Sequence, residues 1–185
     1  MILQRVLPFS KELLKQVVTP GDLAVDATAG NGHDTLFLAE LTGPSGRVIA
    51  FDIQEAAIEA TRERVKDHDH VELVLGSHAE MDRYANRPVA AVVFNLGYLP
   101  KGDHSIITKP DSTLEAIRKG LDALKIGGLV ILIIYYGHAG GVEEKDAVLD
   151  FVSGLPQKDF DVLRYGFINQ QNSPPFLIAI EKKRQ

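Results

Sequence analysis

Several features that define other protein classes are absent from this chain of 185 residues. It contains no cysteine, which excludes disulfides, thiolate metal sites and a cysteine nucleophile. Its longest apolar run, 129–134, is far shorter than the roughly 18 residues that a membrane helix needs. A basic region followed by an apolar stretch, typical of a secretory signal, is also missing from the N-terminus. We therefore expect a cytoplasmic protein that binds neither a metal nor a membrane.

An excess of basic residues is lacking as well. The formal net charge is −5, whereas nucleic-acid-binding domains usually present a basic face. This balance does not exclude a nucleic-acid partner, because a local basic patch can lie on an acidic protein. Repeats, low-complexity tracts and linkers are not evident either, so the length predicts a single domain over residues 1–185.

Short apolar strands alternate with helical patterns along the chain, which indicates parallel βαβ units. The predicted strands are 23–27, 47–52, 71–75, 88–95, 129–136, 160–167 and 176–181, and the predicted helices are 8–18, 34–41, 54–66, 112–124 and 142–153. Ser10 is the expected N-cap of the first helix, Ser112 and Glu115 form a capping-box pattern, and Gly127-Gly128 is expected to end the fourth helix.

The last two strands are joined by a short turn and predict an antiparallel hairpin after five strand–helix units. This layout predicts an α/β, doubly wound, Rossmann-like fold of the class I methyltransferase type. Its sheet would have seven strands, mostly parallel, with an antiparallel C-terminal strand between its neighbours.

A glycine-rich turn follows the first predicted strand in Asp26-Ala27-Thr28-Ala29-Gly30-Asn31-Gly32. It resembles the D-x-G-x-G-x-G motif of S-adenosylmethionine enzymes, with Thr28 in place of the first glycine. A tight strand–helix turn without a ligand is the alternative explanation. Asp52 closes the second strand, where an acid accepts hydrogen bonds from ribose hydroxyls. A helix N-cap aspartate is the alternative there.

NAD is a second candidate cofactor for a glycine turn followed by an acid. The fingerprint G-x-G-x-x-G is absent, however, because Gly32 is followed by His33-Asp34-Thr35. Asp34 at the helix start would also repel a pyrophosphate, whereas the zwitterionic end of S-adenosylmethionine tolerates it better. Ser77 and His78 follow the third strand, where the loop usually meets the adenine, although His78 could instead be a surface histidine.

The fourth strand ends in Phe94-Asn95-Leu96-Gly97-Tyr98, where amino-methyltransferases often carry Asn-Pro-Pro-Tyr. The side-chain oxygen of Asn95 can accept protons from an amine nucleophile and aim its lone pair. Tyr98 can stack on a base or face the sulfonium cation. A polar strand end beside a core tyrosine is the alternative. At the end of the fifth strand, His138 or Tyr136 could accept the proton.

The chain resembles one bacterial family over nearly its whole length. The resemblance is carried by the segments 26–35, 51–54, 94–100, 136–138 and 165–176. The most specific stretches are Asn95-Leu96-Gly97-Tyr98-Leu99-Pro100 and the motif N-Q-x-N-x-P-P-F at 169–176. The chain is similar to the MnmM/YtqB family of tRNA 5-aminomethyl-2-thiouridine methyltransferases, formerly labelled rRNA methylases. The resemblance implies methyl transfer from S-adenosyl-L-methionine to the aminomethyl group of the tRNA wobble uridine.

Site residues follow from the motifs and this resemblance together. The cofactor-binding set is Asp26, Gly30, Asn31, Gly32, Asp52, Ile53, Gln54, Ser77, His78 and Asn95. The substrate-binding set is Leu96, Gly97, Tyr98, Leu99, Pro100, Tyr136, Asn172 and Phe176. The catalytic set is Asn95, Tyr98 and His138.

Other functions remain open from the residues alone. An rRNA or small-molecule amine methyltransferase would keep the same fold and cofactor. An NAD-dependent oxidoreductase and a non-catalytic cofactor-binding or RNA-binding module are the remaining alternatives. We also expect a homodimer, since small enzymes of this fold without a separate RNA domain often extend their surface by pairing.

Overall fold

One sheet of seven strands organises the protein, and the computed structural model describes residues 2–97 and 109–184 of it. The strands are β1 (Leu23–Asp26), β2 (Arg47–Asp52), β3 (Val71–Leu75), β4 (Val89–Leu96), β5 (Leu124–Ile134), β6 (Phe160–Tyr165) and β7 (Phe176–Lys182). The helices are α1 (Val6–Val17), α2 (His33–Thr42), α3 (Glu55–Arg64), α4 (Pro110–Ala123) and α5 (Gly141–Ser153), with a short 3-10 helix at His78–Arg83 that the sequence analysis did not predict.

The strand order is β3-β2-β1-β4-β5-β7-β6. Neighbouring strands from β3 to β5 pair in parallel, and β7 pairs antiparallel with both β5 and β6. The predicted doubly wound fold and the inserted antiparallel strand are therefore confirmed. The order reverses between β1 and β4, and open α/β sheets bind ligands at the carboxyl ends of the strands at such a reversal.

Both faces of the sheet are covered by helices, which explains why the central strands are apolar throughout. Along β1, Ala24 joins the cluster beneath α1 and α2, whereas Leu23 and Val25 join the cluster beneath α4 and α5. Leu14 of α1 and Leu38 of α2 fill the first cluster, and Ile117 of α4 and Val148 of α5 fill the second. Because alternate residues of each central strand pack against helices on opposite faces of the sheet, the ends of β1, β4 and β5 are fixed in place.

The predicted N-caps of two helices are wrong. α1 begins at Val6 after Arg5, and the Ser10 hydroxyl donates to the Leu7 carbonyl at 2.8 Å from inside the helix. α4 begins at Pro110, whose fixed φ suits a first helical position. The Ser112 hydroxyl likewise donates back, to the Lys109 carbonyl at 3.2 Å. Each serine therefore bonds to the preceding turn instead of capping the helix.

Gly127-Gly128 does not end α4, because β5 starts at Leu124 and runs through both glycines. Gly127 has φ +77°, and a Cβ on Gly128 would lie 3.0 Å from the Ala90 carbonyl of β4. The pairing of β4 with β5 shifts register between Val89 and Ala91, at this same place. The two glycines therefore allow the strands to approach closely through an irregular start.

None of the helices in the ranges 2–97 and 109–184 is long and apolar enough to cross a membrane.

Candidate cofactor and substrate site

A cleft of about 1110 Å³ opens at the carboxyl ends of β1, β2, β4 and β5. Most of the residues proposed from the sequence that the structure describes line this cleft. They are Gly30, Asn31, Asp52, Ile53, Gln54, Ser77, His78, Asn95, Leu96, Gly97, Tyr136, His138 and Asn172. The topology thus gathers side chains from distant parts of the chain around one space.

The turn after β1 is held open by its own backbone geometry. Gly30 and Gly32 have φ of +54° and +80°, in the left-handed region that favours glycine. A Cβ on Gly32 would lie 2.9 Å from the Thr61 Cα, so Gly32 packs against α3 and does not line the cleft. Gly32 therefore shapes the turn, and the exposed backbone of Gly30 and Asn31 forms the cleft wall.

Asp52 at the end of β2 is fixed by two backbone donors. Its Oδ2 accepts the Gly30 N–H at 3.0 Å, and its Oδ1 accepts the Gln54 N–H at 2.9 Å. A carboxylate offers about four acceptor positions, so the group can still accept hydrogen bonds from a diol in the cleft. This oriented carboxylate is suited to hold the two ribose hydroxyls of a nucleoside cofactor.

Asp26 is fully buried behind the turn and does not line the cleft. Its carboxylate accepts the Thr35 hydroxyl at 2.7 Å and the Thr28 N–H at 3.1 Å. Burial, together with the negative charge of Asp34, raises the pKa of Asp26 from 3.8 to about 7. Its position indicates that it braces the turn from behind.

Thr28, which replaces the first glycine of the motif, joins two strand ends. Its hydroxyl oxygen accepts the Asn95 N–H at 2.6 Å. This bond ties the turn after β1 to the last residues of β4, across the point where the strand order reverses. The departure from the glycine pattern therefore supplies a contact that a glycine could not make.

His78 and Ser77 form the wall after β3. The His78 Nδ1 lies 2.9 Å from the Ala27 carbonyl, which can only accept, so this nitrogen carries the hydrogen. Burial lowers the pKa of His78 below its ordinary 6.5, and its ring packs edge-on against Phe94. His78 is thus a buried neutral imidazole and not a surface histidine. Ile53 is about half exposed in the same cleft and offers an apolar surface to a flat base.

Asn95 faces an acid that the sequence analysis did not assign to the site. The Asn95 Nδ2 donates to the Oδ2 of Asp34, in the first turn of α2, at 2.5 Å. Burial and the charge of Asp34 also raise the pKa of Tyr135 above its ordinary 10.0. Asp34 therefore lies close to the ends of both β4 and β5. No spacing rule could link it to Asn95, which is 61 residues away.

Some of the residues proposed from the sequence lie elsewhere. Tyr98, Leu99 and Pro100 lie outside the described residues. Phe176 is buried beside the cleft, with its ring 5.9 Å from that of Tyr136 and beneath the Arg164 guanidinium. It supports the Tyr136 wall from behind and does not line the cleft itself.

The turn between β6 and β7 contributes to the cleft in a way that the sequence only partly indicated. Asn172 and Ser173 have φ of 62° and 50°, which is uncommon for residues other than glycine. Both line the cleft, together with Pro175. The structure also adds Leu7 and Lys11 of α1, and Lys109 and Ser112 at the start of α4, which are not in the predicted site sets.

The sheet order, the glycine turn and the acid at the end of β2 define a class of protein. The protein is an S-adenosylmethionine-dependent methyltransferase of the Rossmann-like type, and S-adenosylmethionine is its cofactor. The family described as "Putative rRNA methylase" matches residues 48–181, and the chain belongs to that family.

Similar proteins agree with this assignment. A protein of Arabidopsis thaliana named "tRNA (mnm(5)s(2)U34)-methyltransferase, chloroplastic" is 38% identical over 91% of this chain. The chain spans 66% of the length of that plant protein. The crystal structure of a "putative rRNA-methylase" from Clostridium thermocellum is 49% identical, with a TM-score of 0.96, covering 98% of this chain and 100% of that one. The crystal structure of a "putative methyltransferase" from Streptococcus mutans in complex with SAH is 44% identical, with a TM-score of 0.91, covering 98% of this chain and 99% of that one.

Proposed function

We propose that this enzyme methylates the aminomethyl group of 5-aminomethyl-2-thiouridine at the wobble position of tRNA. The observation that carries the proposal is the orientation of Asn95. Its Nδ2 is committed to Asp34, so its Oδ1 is the end of the amide that can accept an N–H from a substrate. An acceptor at this strand end suits an amine nucleophile, and the name of the plant relative supports the particular amine.

Cofactor roles follow from the same geometry. Asp52 would hold the ribose hydroxyls, Ile53 and His78 would enclose the adenine, and the backbone of Gly30 and Asn31 would border the methionine end. Gln54 and Ser77 lie within the same part of the cleft and are proposed as further polar contacts. When bound, S-adenosylmethionine supplies a methyl group that its sulfonium already activates.

The protein's own contribution is positioning and control of protons. An alkylamine with a pKa near ~10 is neutral in only about one molecule in a thousand at pH 7. Asn95 would hold the nitrogen so that its lone pair points at the methyl carbon. His138 and Tyr136 line the same cleft and are proposed to receive the proton, directly or through water.

A methyltransferase acting on rRNA is the second candidate, and specific observations favour it. The family description names rRNA. A "Ribosomal RNA small subunit methyltransferase H" of Desulfotalea psychrophila is also 43% identical, over 34% of this chain and 21% of that protein. The aminomethyl substrate is preferred because the plant relative matches 91% of the chain.

The deciding experiment incubates the protein with S-adenosylmethionine and tRNA carrying 5-aminomethyl-2-thiouridine, then measures the nucleosides by mass. A gain of one methyl on that nucleoside is the expected result. If rRNA or a free amine is methylated in a parallel reaction while the tRNA stays unchanged, the enzyme acts on that alternative substrate instead.

We further propose a single domain that acts as a homodimer in the cytoplasm. Pairing would extend the surface available to a tRNA, since the chain is only 185 residues long. Light scattering coupled to size-exclusion chromatography measures the molar mass of the assembly. A monomer mass at the concentration used in the assay would contradict the dimer. Fractionation of cells checks the location.

A further inference from the structure

We propose that Asp34 is the carboxylate that binds the cationic amine of the substrate and so selects aminomethylated RNA. This inference rests on the proposed function, because it names the residue that recognises the same amine. Asp34 was expected from the sequence only to discourage a pyrophosphate. In the structure it lies within the cleft, beside the amide that would aim the nucleophile.

The position of Asp34 is the first argument. α2 starts directly after the cofactor turn, yet the Asp34 side chain reaches away from β2 to the Asn95 amide at the end of β4. Asp52, the proposed ribose acid, lies at the end of β2, with β1 between it and β4. The two cleft carboxylates therefore serve opposite ends of the site. The Asp34 end is the one that contains Asn95, which bonds to Asp34, and Tyr135, whose pKa its charge raises.

The charge of Asp34 is the second argument. The side chain is only partly exposed, and no lysine or arginine among residues 2–97 and 109–184 forms an ion pair with it. It interacts electrostatically with the buried acid Asp26, which is a like charge when ionised. A half-buried carboxylate in this setting gains most from a cation that enters the cleft.

The geometry of Asp34 and Asn95 together indicates which cationic group the two side chains can bind. Asp34 accepts from Nδ2 of Asn95 and both residues line the cleft, so the Oδ1 of Asn95 and the carboxylate are neighbouring acceptors on its wall. A primary ammonium has three N–H donors and can use both acceptors at once. A hydroxyl has only one donor, and a methyl group has none. The pair therefore distinguishes an aminomethyl group from its neutral analogues.

The test compares the binding of two synthetic anticodon stem-loops in the presence of S-adenosylhomocysteine, so that no turnover occurs. One carries 5-aminomethyl-2-thiouridine and the other 5-methyl-2-thiouridine. The wild-type protein should prefer the first by roughly tenfold or more, as expected for a charge-assisted hydrogen bond. Asp34→Asn should reduce this preference to about twofold or less, while the affinity for S-adenosylmethionine changes by less than about threefold.

Two further variants complete the design. Glu40→Gln removes the same charge from an exposed position on the same helix, and it should keep the wild-type preference. Asp34→Glu keeps the charge and should retain most of the preference. Asp34→Asn is expected to fold, because removing this charge relieves repulsion with Asp26. A thermal melt of each variant verifies this.

Each outcome gives a decision. A folded Asp34→Asn variant that still prefers the aminomethyl stem-loop overturns the inference. Loss of S-adenosylmethionine affinity with the preference intact also overturns it, and assigns Asp34 to the ammonium of the cofactor instead. If the wild type neither prefers nor methylates the aminomethyl stem-loop, the proposed function itself fails. If Asp34→Asn does not fold, Asp34→Glu decides, and a folded Glu variant without the preference overturns the inference.

Discussion

Replacing the buried acid Asp26 with asparagine should stabilise the protein at and above neutral pH. In the folded state the pKa of Asp26 is about 7, because burial and the charge of Asp34 disfavour its ionised form. In the unfolded chain it returns to about 3.8. The folded protein therefore binds more protons than the unfolded chain between pH 4 and 7, so that stability decreases as pH rises through this range.

The size of the effect follows from the two pKa values. Each pH unit between them corresponds to about 1.4 kcal/mol, so ionised Asp26 costs on the order of 4 kcal/mol at pH 8. An asparagine at this position avoids the cost and can keep both hydrogen bonds. Its Oδ1 would accept the Thr28 N–H, and its Nδ2 would donate to Thr35 Oγ1, whose hydroxyl hydrogen turns aside.

Urea unfolding from pH 3 to 8.5 measures the difference. The free energy of unfolding of Asp26→Asn, relative to wild type, should increase steadily as pH rises. This gain should shrink to about 1 kcal/mol at pH 4.5 and approach zero only near pH 3, below the pKa of the unfolded chain. Asp22→Asn is the matched control with the opposite sign. Burial raises the pKa of Asp22, but hydrogen bonds from Lys125 and Thr19 outweigh it and lower the pKa overall. Removing that acid should therefore cost stability at neutral pH, and the loss should fade below its ordinary pKa.

Two results would refute the reasoning about Asp26. Equal pH dependence in wild type and Asp26→Asn would mean that Asp26 does not take up a proton on folding in this range. A constant destabilisation at every pH would mean that its hydrogen bonds outweigh its charge. In either case the buried acid would have to be regarded as a simple support of the turn.

Three further predictions concern the cleft and the glycine turn beside it. Asp52→Ala should weaken S-adenosylmethionine binding by at least ~3 kcal/mol, or roughly 150-fold, because two charge-assisted hydrogen bonds to the ribose are lost. If calorimetry shows less than a fivefold change in affinity, Asp52 does not hold the ribose. Asn95→Ala should reduce turnover far more than cofactor affinity, and a matching loss of both in kinetics and calorimetry would count against its role in aiming the amine. Gly32→Ala should destabilise the fold by about 2 kcal/mol or more, because φ is +80° and the new Cβ would meet the Thr61 backbone. An unchanged midpoint of urea unfolding would contradict this and show that the turn adapts to the side chain.

Strand placement could be predicted well because it depends on local pattern. β2 and β3 begin and end at the predicted residues, since both are short, mostly apolar runs bounded by turn residues. Helix starts were less predictable. Ser10 and Ser112 have the chemistry of an N-cap, but a serine in the first turn can equally bond backwards to a carbonyl, as both do. Gly127 and Gly128 were misinterpreted because close approach between strands leaves the same glycine signal as a helix end.

The site was predictable where one segment carries the chemistry. The turn after β1 and the acid at the end of β2 are local signatures, and both Gly30 and Asp52 line the cleft. Asp34 could be recognised as a helix-start acid, but its contact with Asn95 depends on the sheet order. The placement of Phe176 behind the cleft wall likewise depends on how β7 packs, which its motif does not specify.

The insertion of β7 between β5 and β6 has a consequence for synthesis on the ribosome. β7 follows every other described strand in the sequence, so β5 emerges with one side paired to β4 and the other side bare. That side is a row of unpaired backbone groups on a strand whose last seven residues are buried in the finished protein. Such an edge is a template for pairing with another nascent chain. The growing chain is therefore most exposed to such mispairing in the interval between the appearance of β5 and the arrival of β7.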